Sequence, residues 1–302
     1  MKRGDLKPSY VAKLKSYIRL YFIPYGLKKD FDDIRDIKSC KDLFESMPQK
    51  LSPKYRSNIR MAIATFFNWC KNEEKLIDEL PFIPSFPKQK YIPTVVNKEF
   101  RQFLVDNYIR PQHQNIFGFL IHQGCRPGEA IALKGDCIKD HPTLGRYVEY
   151  RRTLSEKTIV EIPKDREARV NPIFEETMKY LPKTFTNDFV FKNNGKLYTL
   201  TVLEKELARA LKLYNADQRK IAEEKGEVWE DVKIKLYEFC KHSWSTEMYE
   251  KGASLEDIQK YHGHSKPETS LLYTKIDVLK RFKKFAEVIP IKKEEKESGG
   301  SQ

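Results

Sequence analysis

The chain has 302 residues, 40% of them hydrophobic, which is enough to bury real cores and argues for two domains and against a disordered chain. Lys and Arg total 56 against 43 Asp and Glu, a net charge of +13; this is the balance of a chain that meets a polyanion, although many basic proteins never touch one. Five cysteines (Cys40, Cys70, Cys125, Cys137, Cys240) without a CxxC pair argue against a disulfide framework and a thiolate metal site, and no apolar run approaches the ~20 residues that span a bilayer.

The N-terminus MKRGDLKPSY lacks the apolar core of a signal peptide, so a cytoplasmic protein with no membrane partner is expected. Residues 1–90 hold 19 basic and 11 acidic side chains, the more basic part of the chain. Their apolar residues recur at three and four, a helical period. Val11, Leu14, Ile18 and Phe22 share one face, with Lys15 and Arg19 one turn apart on another. A second helix starts at Ser52 as N-cap with Pro53 at its first position, and Tyr55, Ile59, Ile63, Phe66, Phe67 and Cys70 form its apolar stripe. Lys54, Arg56 and Arg60 belong to its basic side. That side is either a solvated back or a phosphate-binding face. The five residues Lys15, Arg19, Lys54, Arg56 and Arg60 are the candidate DNA contacts.

Residues 81–94, PFIPSFPKQKYIPT, contain four prolines and no period, and read as a linker between a helical domain at 1–88 and a second domain at 89–290. Beyond it, Phe100, Phe103 and Leu104 mark one helix, and Ile116, Phe119 and Leu120 another that stops at Gly124. Pro127 opens a third, carrying Glu129, Ile131 and Leu133. Between 147 and 173, YVEYRR, TIVEIP and ARVNPI are short β-branched and aromatic segments that fit a small antiparallel sheet. The charged stretch 215–231 reads as an insertion or an exposed helix. The run MYEKGASLEDIQ reads as a helix ended by Gly252 and a new one capped by Ser254, with Asp257 as the capping-box acid. The fold class is therefore mainly α with a small antiparallel β-sheet (α+β), and residues 291–302 read as a disordered tail.

Two segments carry a family resemblance. In LIHQGCRPGEAIAL, Arg126 follows a Gly-x turn and Glu129 comes three residues later; in YHGHSKPETSLLYTKI, Tyr273 stands nine positions after His264. Both resemble the signatures of the tyrosine recombinases, or phage integrases, and the resemblance runs from about residue 7 to 285. It implies a helical, SAM-like core-binding domain followed by a catalytic domain, without a further arm-binding domain. It also implies that Tyr273 attacks a DNA phosphate, forming a 3′-phosphotyrosyl intermediate, with Arg126, Lys241 and His264 meeting the developing charge and no metal or other cofactor. A hairpin lysine would protonate the leaving oxygen: Lys164 matches best, Lys157 is its rival. The family's His-x-x-Arg reads here as Glu238 and Lys241, in YEFCKHSW. Lysine keeps the charge but loses the guanidinium fork, glutamate brings negative charge, and His242 is a neighbouring stand-in. The base that ionises Tyr273 is either Glu238 or His264.

The implied partners are a double-stranded DNA core site and other copies of the chain, two per site and four in a synapse. The segment after Tyr273, with Ile276, Leu279, Phe282 and Phe285 at helical spacing, docks either on a neighbour or on its own domain. Two other classes stay open: a DNA-binding protein that keeps the fold with impaired catalysis, and a type IB topoisomerase-like enzyme. A metal-dependent nuclease is disfavoured for want of a paired carboxylate motif.

Overall fold

Helical apolar spacing at the N-terminus produces α1 (Pro8–Tyr17), which passes through a π-turn at Ile18–Phe22 into the short α2 (Ile23–Gly26). The structure is a computed structural model describing residues 8–28, 38–87, 92–143, 145–155, 157–161 and 169–263. Its chain divides into two units, Met1–Tyr91 and Ile92–Gln302. In the first, α3 (Lys41–Glu45) buries Leu43 and Phe44. The long α4 (Pro53–Asn72) begins where Ser52 Oγ accepts the Tyr55 N–H at 3.2 Å and Pro53 fills the first position. Ile59, Ile63 and Phe67 of α4 are buried against Phe22, Leu43, Phe44 and Met47.

The second unit opens with α5 (Lys98–Asn107), capped by Asn97, and α6 (Pro111–Gln123). Ile116, Phe117, Phe119, Leu120 and Ile121 leave α6 almost no solvated face, so it is the central helix of this core. After α7 (Pro127–Ile131) the strands β1 (Ile138–His141), β2 (Gly145–Tyr150) and β5 (Arg169–Pro172) form an antiparallel sheet in the order β1-β2-β5. A separate hairpin joins β3 (Arg152–Ser155) to β4 (Thr158–Glu161). The expected small sheet is thus two assemblies, and β1 lay outside the segments expected to be strands. A short α8 (Glu175–Met178) and the hairpin β6 (Lys192–Asn193) to β7 (Lys196–Leu197) follow. That hairpin turns at Asn194 and Gly195, both at positive φ, as a two-residue turn requires.

The chain then forms α9 (Leu200–Glu224), a π-turn at Glu238–His242, α10 (Ser243–Glu250) and α11 (Leu255–His262). The charged run 215–231 is not a free insertion. Its first half ends α9, and its second half folds back so that the Asn215 amide pairs with the N–H and carbonyl of Val232, at 2.9 and 3.0 Å. Ser254 and Asp257 form the expected capping box on α11. Pro127 does open a helix, but it closes at Ile131, before Leu133. Among the described residues no helix is long and apolar enough to cross a membrane. The sequence readings at Lys164, His264 and Tyr273, the helix after Tyr273 and the tail 291–302 lie outside the described residues.

Gly124 ends α6 with φ of 61° and packs against Trp244, so an added Cβ would stand 2.2 Å from that indole ring. Gly124→Ala should therefore cost about 2–5 kcal/mol, from left-handed strain together with overpacking. Urea denaturation of the variant checks this; a midpoint equal to that of the parent would show that the turn can relax.

Candidate functional site

The C-terminal end of α6 presents carbonyls that no helical N–H can reach. Each finds a donor from a different element. Arg101 Nη1 of α5 donates to Ile121 O at 3.0 Å, Trp244 Nε1 of α10 to His122 O at 2.9 Å, and the Tyr261 hydroxyl of α11 to Gln123 O at 2.6 Å. Arg101 is wholly buried and pairs through Nη2 with Glu247. The rigid helix end that results fixes the turn Gly124-Cys125-Arg126.

Arg126 is the N-cap residue of α7, and Glu129, at the third helical position, folds back on it. Glu129 Oε2 accepts the Arg126 N–H at 2.9 Å and Oε1 accepts Arg126 Nη1 at 2.8 Å. The expected pairing of these two residues is present. A third partner had no signal in the sequence reading: Arg169 Nη2 of β5 donates to Glu129 Oε2 at 2.7 Å, while its Nη1 donates to His262 O at 2.7 Å. The register Tyr150↔Arg169 lays its guanidinium 4.6 Å from the Tyr150 ring centroid. Burial pushes the Glu129 carboxyl up, but Arg169 and Arg126 outweigh it and hold the group below the ordinary carboxylate range. Only Arg126 of the three is substantially solvated, its side chain 30% exposed against 8% for Glu129 and 10% for Arg169.

The π-turn carries the other candidates. Glu238 and Lys241 are both buried. Glu238 Oε2 accepts the Lys235 N–H at 2.7 Å, three residues back, and Oε1 the Thr94 N–H at 3.4 Å, so this carboxylate ties its own helix start to a distant segment. Ser243 Oγ donates to Glu238 O at 2.7 Å and Ser245 Oγ to Lys241 O at 2.8 Å, adding side-chain donors to the carbonyls of the turn. His242 is half-buried, and burial together with the Lys241 charge depresses its imidazole to about 4, against the smaller opposing effect of Glu238. Tyr237, just before the turn, has its hydroxyl raised by burial and by Glu129, with Arg126 opposing; it was not read from sequence. Among the described residues Lys157 is exposed in the β3–β4 turn.

The basic residues of the first unit divide. Lys15, Arg19 and Lys54 are exposed. Arg56 donates to the carbonyls of Leu51, Phe44 and Pro48 at 3.4, 3.3 and 3.1 Å, and Arg60 Nε to Pro84 O at 2.9 Å. Both arginines thus serve loop carbonyls of their own unit.

The Phage integrase family model matches residues 97–279, which span Arg126, Glu129, the π-turn and Tyr273. The chain belongs to the phage integrase family. No curated protein sequence matches it. An integrase of the Tn1549 transposon, in complex with transposon right end DNA, shares the fold with a TM-score of 0.69 at 16% identity, over 94% of this chain and 96% of that one. A second Tn1549 integrase structure, with a circular intermediate DNA, gives 0.68 at 18% identity, over 92% and 95%. The XerH site-specific recombinase bound to its difH substrate gives 0.59 at 20% identity, over 93% of this chain and 79% of that chain. At these identities the likeness is one of fold: the mainly helical unit with small antiparallel sheets is the phage integrase catalytic architecture.

Because the folded state holds His242 well below its ordinary value of 6.5, protonation opposes folding. Its stabilisation is complete above pH 6.5 and is lost as the pH falls towards about 4. His113 and His122 are also lowered by burial, so His242→Gln should flatten the acid-side loss without abolishing it. Thermal melts from pH 7 to 4 test this, and a variant melting curve parallel to the parent at every pH would disprove it.

Proposed function

We propose that this phage integrase family protein is a site-specific DNA strand transferase. In it Tyr273 attacks the scissile phosphate, the P–O5′ bond breaks, and a 3′-phosphotyrosyl link conserves the bond energy until a second 5′ hydroxyl reverses the step. The observation that carries the proposal is the Arg126–Glu129 pair: a half-solvated guanidinium held by a buried carboxylate at a rigid helix end, inside the family match. Such a donor is set in place before reaction and aimed where charge develops, the requirement for electrostatic stabilisation of a phosphoryl transition state.

The remaining roles follow from the family resemblance. Lys241 takes the place of the second arginine and His264 is the third contact, while Lys164, or Lys157 in its stead, gives a proton to the leaving 5′ oxygen. An unperturbed tyrosine ionises near ~10, so the Tyr273 proton needs an acceptor. Glu238 is committed to two main-chain N–H groups; the proton therefore goes to His264, with Glu238 holding the turn that carries Lys241. No metal enters this scheme. The first unit is a core-binding domain, residues 1–88, joined through linker 81–94 to a catalytic domain at 89–290. Lys15, Arg19 and Lys54 are its phosphate contacts, with Arg56 and Arg60 supporting the loops beneath them. Two copies occupy a core site and four a synapse, in the cytoplasm with the nucleoid.

A nicked suicide substrate carrying the element's core site tests the chemistry. Wild type should form a covalent adduct and Tyr273→Phe none. Arg126→Ala should lose about 2–4 kcal/mol of transition-state stabilisation while retaining most duplex affinity. Lys241→Arg should keep or raise adduct formation, because the fork adds a hydrogen bond at constant charge, and Lys241→Ala should lower it. An adduct in Tyr273→Phe overturns the nucleophile, and binding without an adduct in wild type or Lys241→Arg would mean a recombinase fold retained for DNA binding alone.

Duplex affinity should also fall steeply with salt. Replacing Lys15, Arg19 and Lys54 together by alanine should make the log–log slope shallower by about 2–3, at roughly 0.9 per phosphate contact. An unaltered slope would remove these side chains from the interface.

A further inference from the structure

We propose that Arg169 is a positioning residue for Arg126: it holds the Glu129 carboxylate in place and supplies the second positive charge that leaves the cluster net positive towards a phosphate. The inference rests on the strand-transfer reading and deepens it, since both arms of the Arg169 guanidinium are engaged by Glu129 and the His262 carbonyl and act on the phosphate through Arg126. Three observations converge. The Glu129 carboxylate is buried and accepts from both guanidinium groups, at 2.8 Å from Arg126 and 2.7 Å from Arg169. Arg169 lies on β5, held over the Tyr150 ring, so the clamp is anchored in the sheet and not in the loop that carries Arg126. Its other arm takes the His262 carbonyl at 2.7 Å, at the C-terminal end of α11, where the helix dipole favours a cation. His262 lies two residues before His264 in the sequence. One buried guanidinium therefore ties the Arg126 turn to the segment leading into the third phosphate contact.

The charge count gives this geometry its consequence. Arg126 with Glu129 alone is a neutral pair, and a neutral pair offers a dianionic transition state a dipole and no net charge. Arg169 makes the cluster one unit positive, and its burial keeps its own charge from being screened by solvent. Glu129 then acts as a rigid spacer between two cations, only one of which faces outward.

Two readouts separate this role from plain structural support. In single-turnover cleavage of the suicide substrate, Arg169→Met should slow adduct formation by roughly 10- to 100-fold, the scale of a small misplacement of a reacting group, with duplex affinity nearly unchanged. Adding Glu129→Gln to Arg169→Met removes the uncompensated negative charge and should recover about fivefold or more of the lost rate, a coupling that independent sites do not show. Arg169→Lys keeps the charge and should fall between wild type and Arg169→Met, which preserves the test if the methionine variant is poorly folded. The second readout needs no DNA: in protein with ¹³C-labelled Glu carboxyl groups, the Glu129 titration midpoint should rise in Arg169→Met, and by less in Arg169→Lys. A double variant no faster than Arg169→Met, at matched melting temperatures, overturns the proposal, as does an unmoved Glu129 midpoint. Wild type that forms no adduct refutes the strand-transfer reading instead, and the Glu129 titration still decides whether Arg169 sets that carboxylate.

Discussion

A single carboxylate, that of Glu129, organises the second unit's site. A buried charge costs several kcal/mol unless it is paired and hydrogen-bonded, and removing one partner from such a pair is more damaging than never having built it. Glu129 is paired twice and also accepts the main-chain N–H of Arg126, so its demands fix three things together: the entry of α7, the position of β5 and the approach of α11 through Arg169. Close packing beside the pair is consistent with this constraint. A Cβ on Gly128, between the two ends of the pair, would stand 2.8 Å from Leu154 O, so β3 lies directly on α7.

The neighbouring helix end is built on the same principle with neutral acceptors. Three successive carbonyls of α6 are taken by an arginine, an indole and a phenol from three other helices. Trp244 and Tyr261 also stack at 4.5 Å, and Asn171 of β5 donates to Tyr261 O at 3.0 Å. Capping by distant side chains costs sequence length but gains rigidity, because no local motion of one element can free the turn before Arg126. Rigidity at that point matters for chemistry in which a donor must be aimed before charge appears.

How much of this could be read from the sequence depends on the range of the interaction. Local chemistry was legible: Ser52 with Pro53, Ser254 with Asp257, Gly124 at a left-handed helix end, and Glu129 three residues after Arg126 each satisfy a rule that operates within one turn. The mainly helical fold and the family were legible for the same reason, through apolar period and short motifs. Contacts between distant segments were not. Arg169 stood in a strand among other charged residues, and nothing local distinguishes a buried clamp from a solvated strand arginine. Glu238 gave no hint that its carboxylate would receive the N–H of residue 94. Arg56 and Arg60 looked like a basic helix face, yet helical spacing cannot show that loop carbonyls close in beneath it.

These arginines bear on how the chain's charge should be understood. A formal net charge of +13 counts every Lys and Arg alike, but the described residues use their positive charges in two different ways. Arg101 and Arg169 are buried with carboxylates and carbonyls, where they set geometry at high desolvation cost and release no counterions when DNA approaches. Lys15, Arg19 and Lys54 are exposed, where each can exchange a counterion for a phosphate at little cost to the fold. Under the proposed function, affinity and positioning then draw on separate sets of cations. Between them stands Arg126, which is half-solvated and yet held by a buried acid. Under the proposed strand transfer, a cation in that intermediate environment is the one suited both to reach a phosphate and to be aimed at it, a combination that a fully solvated surface lysine lacks.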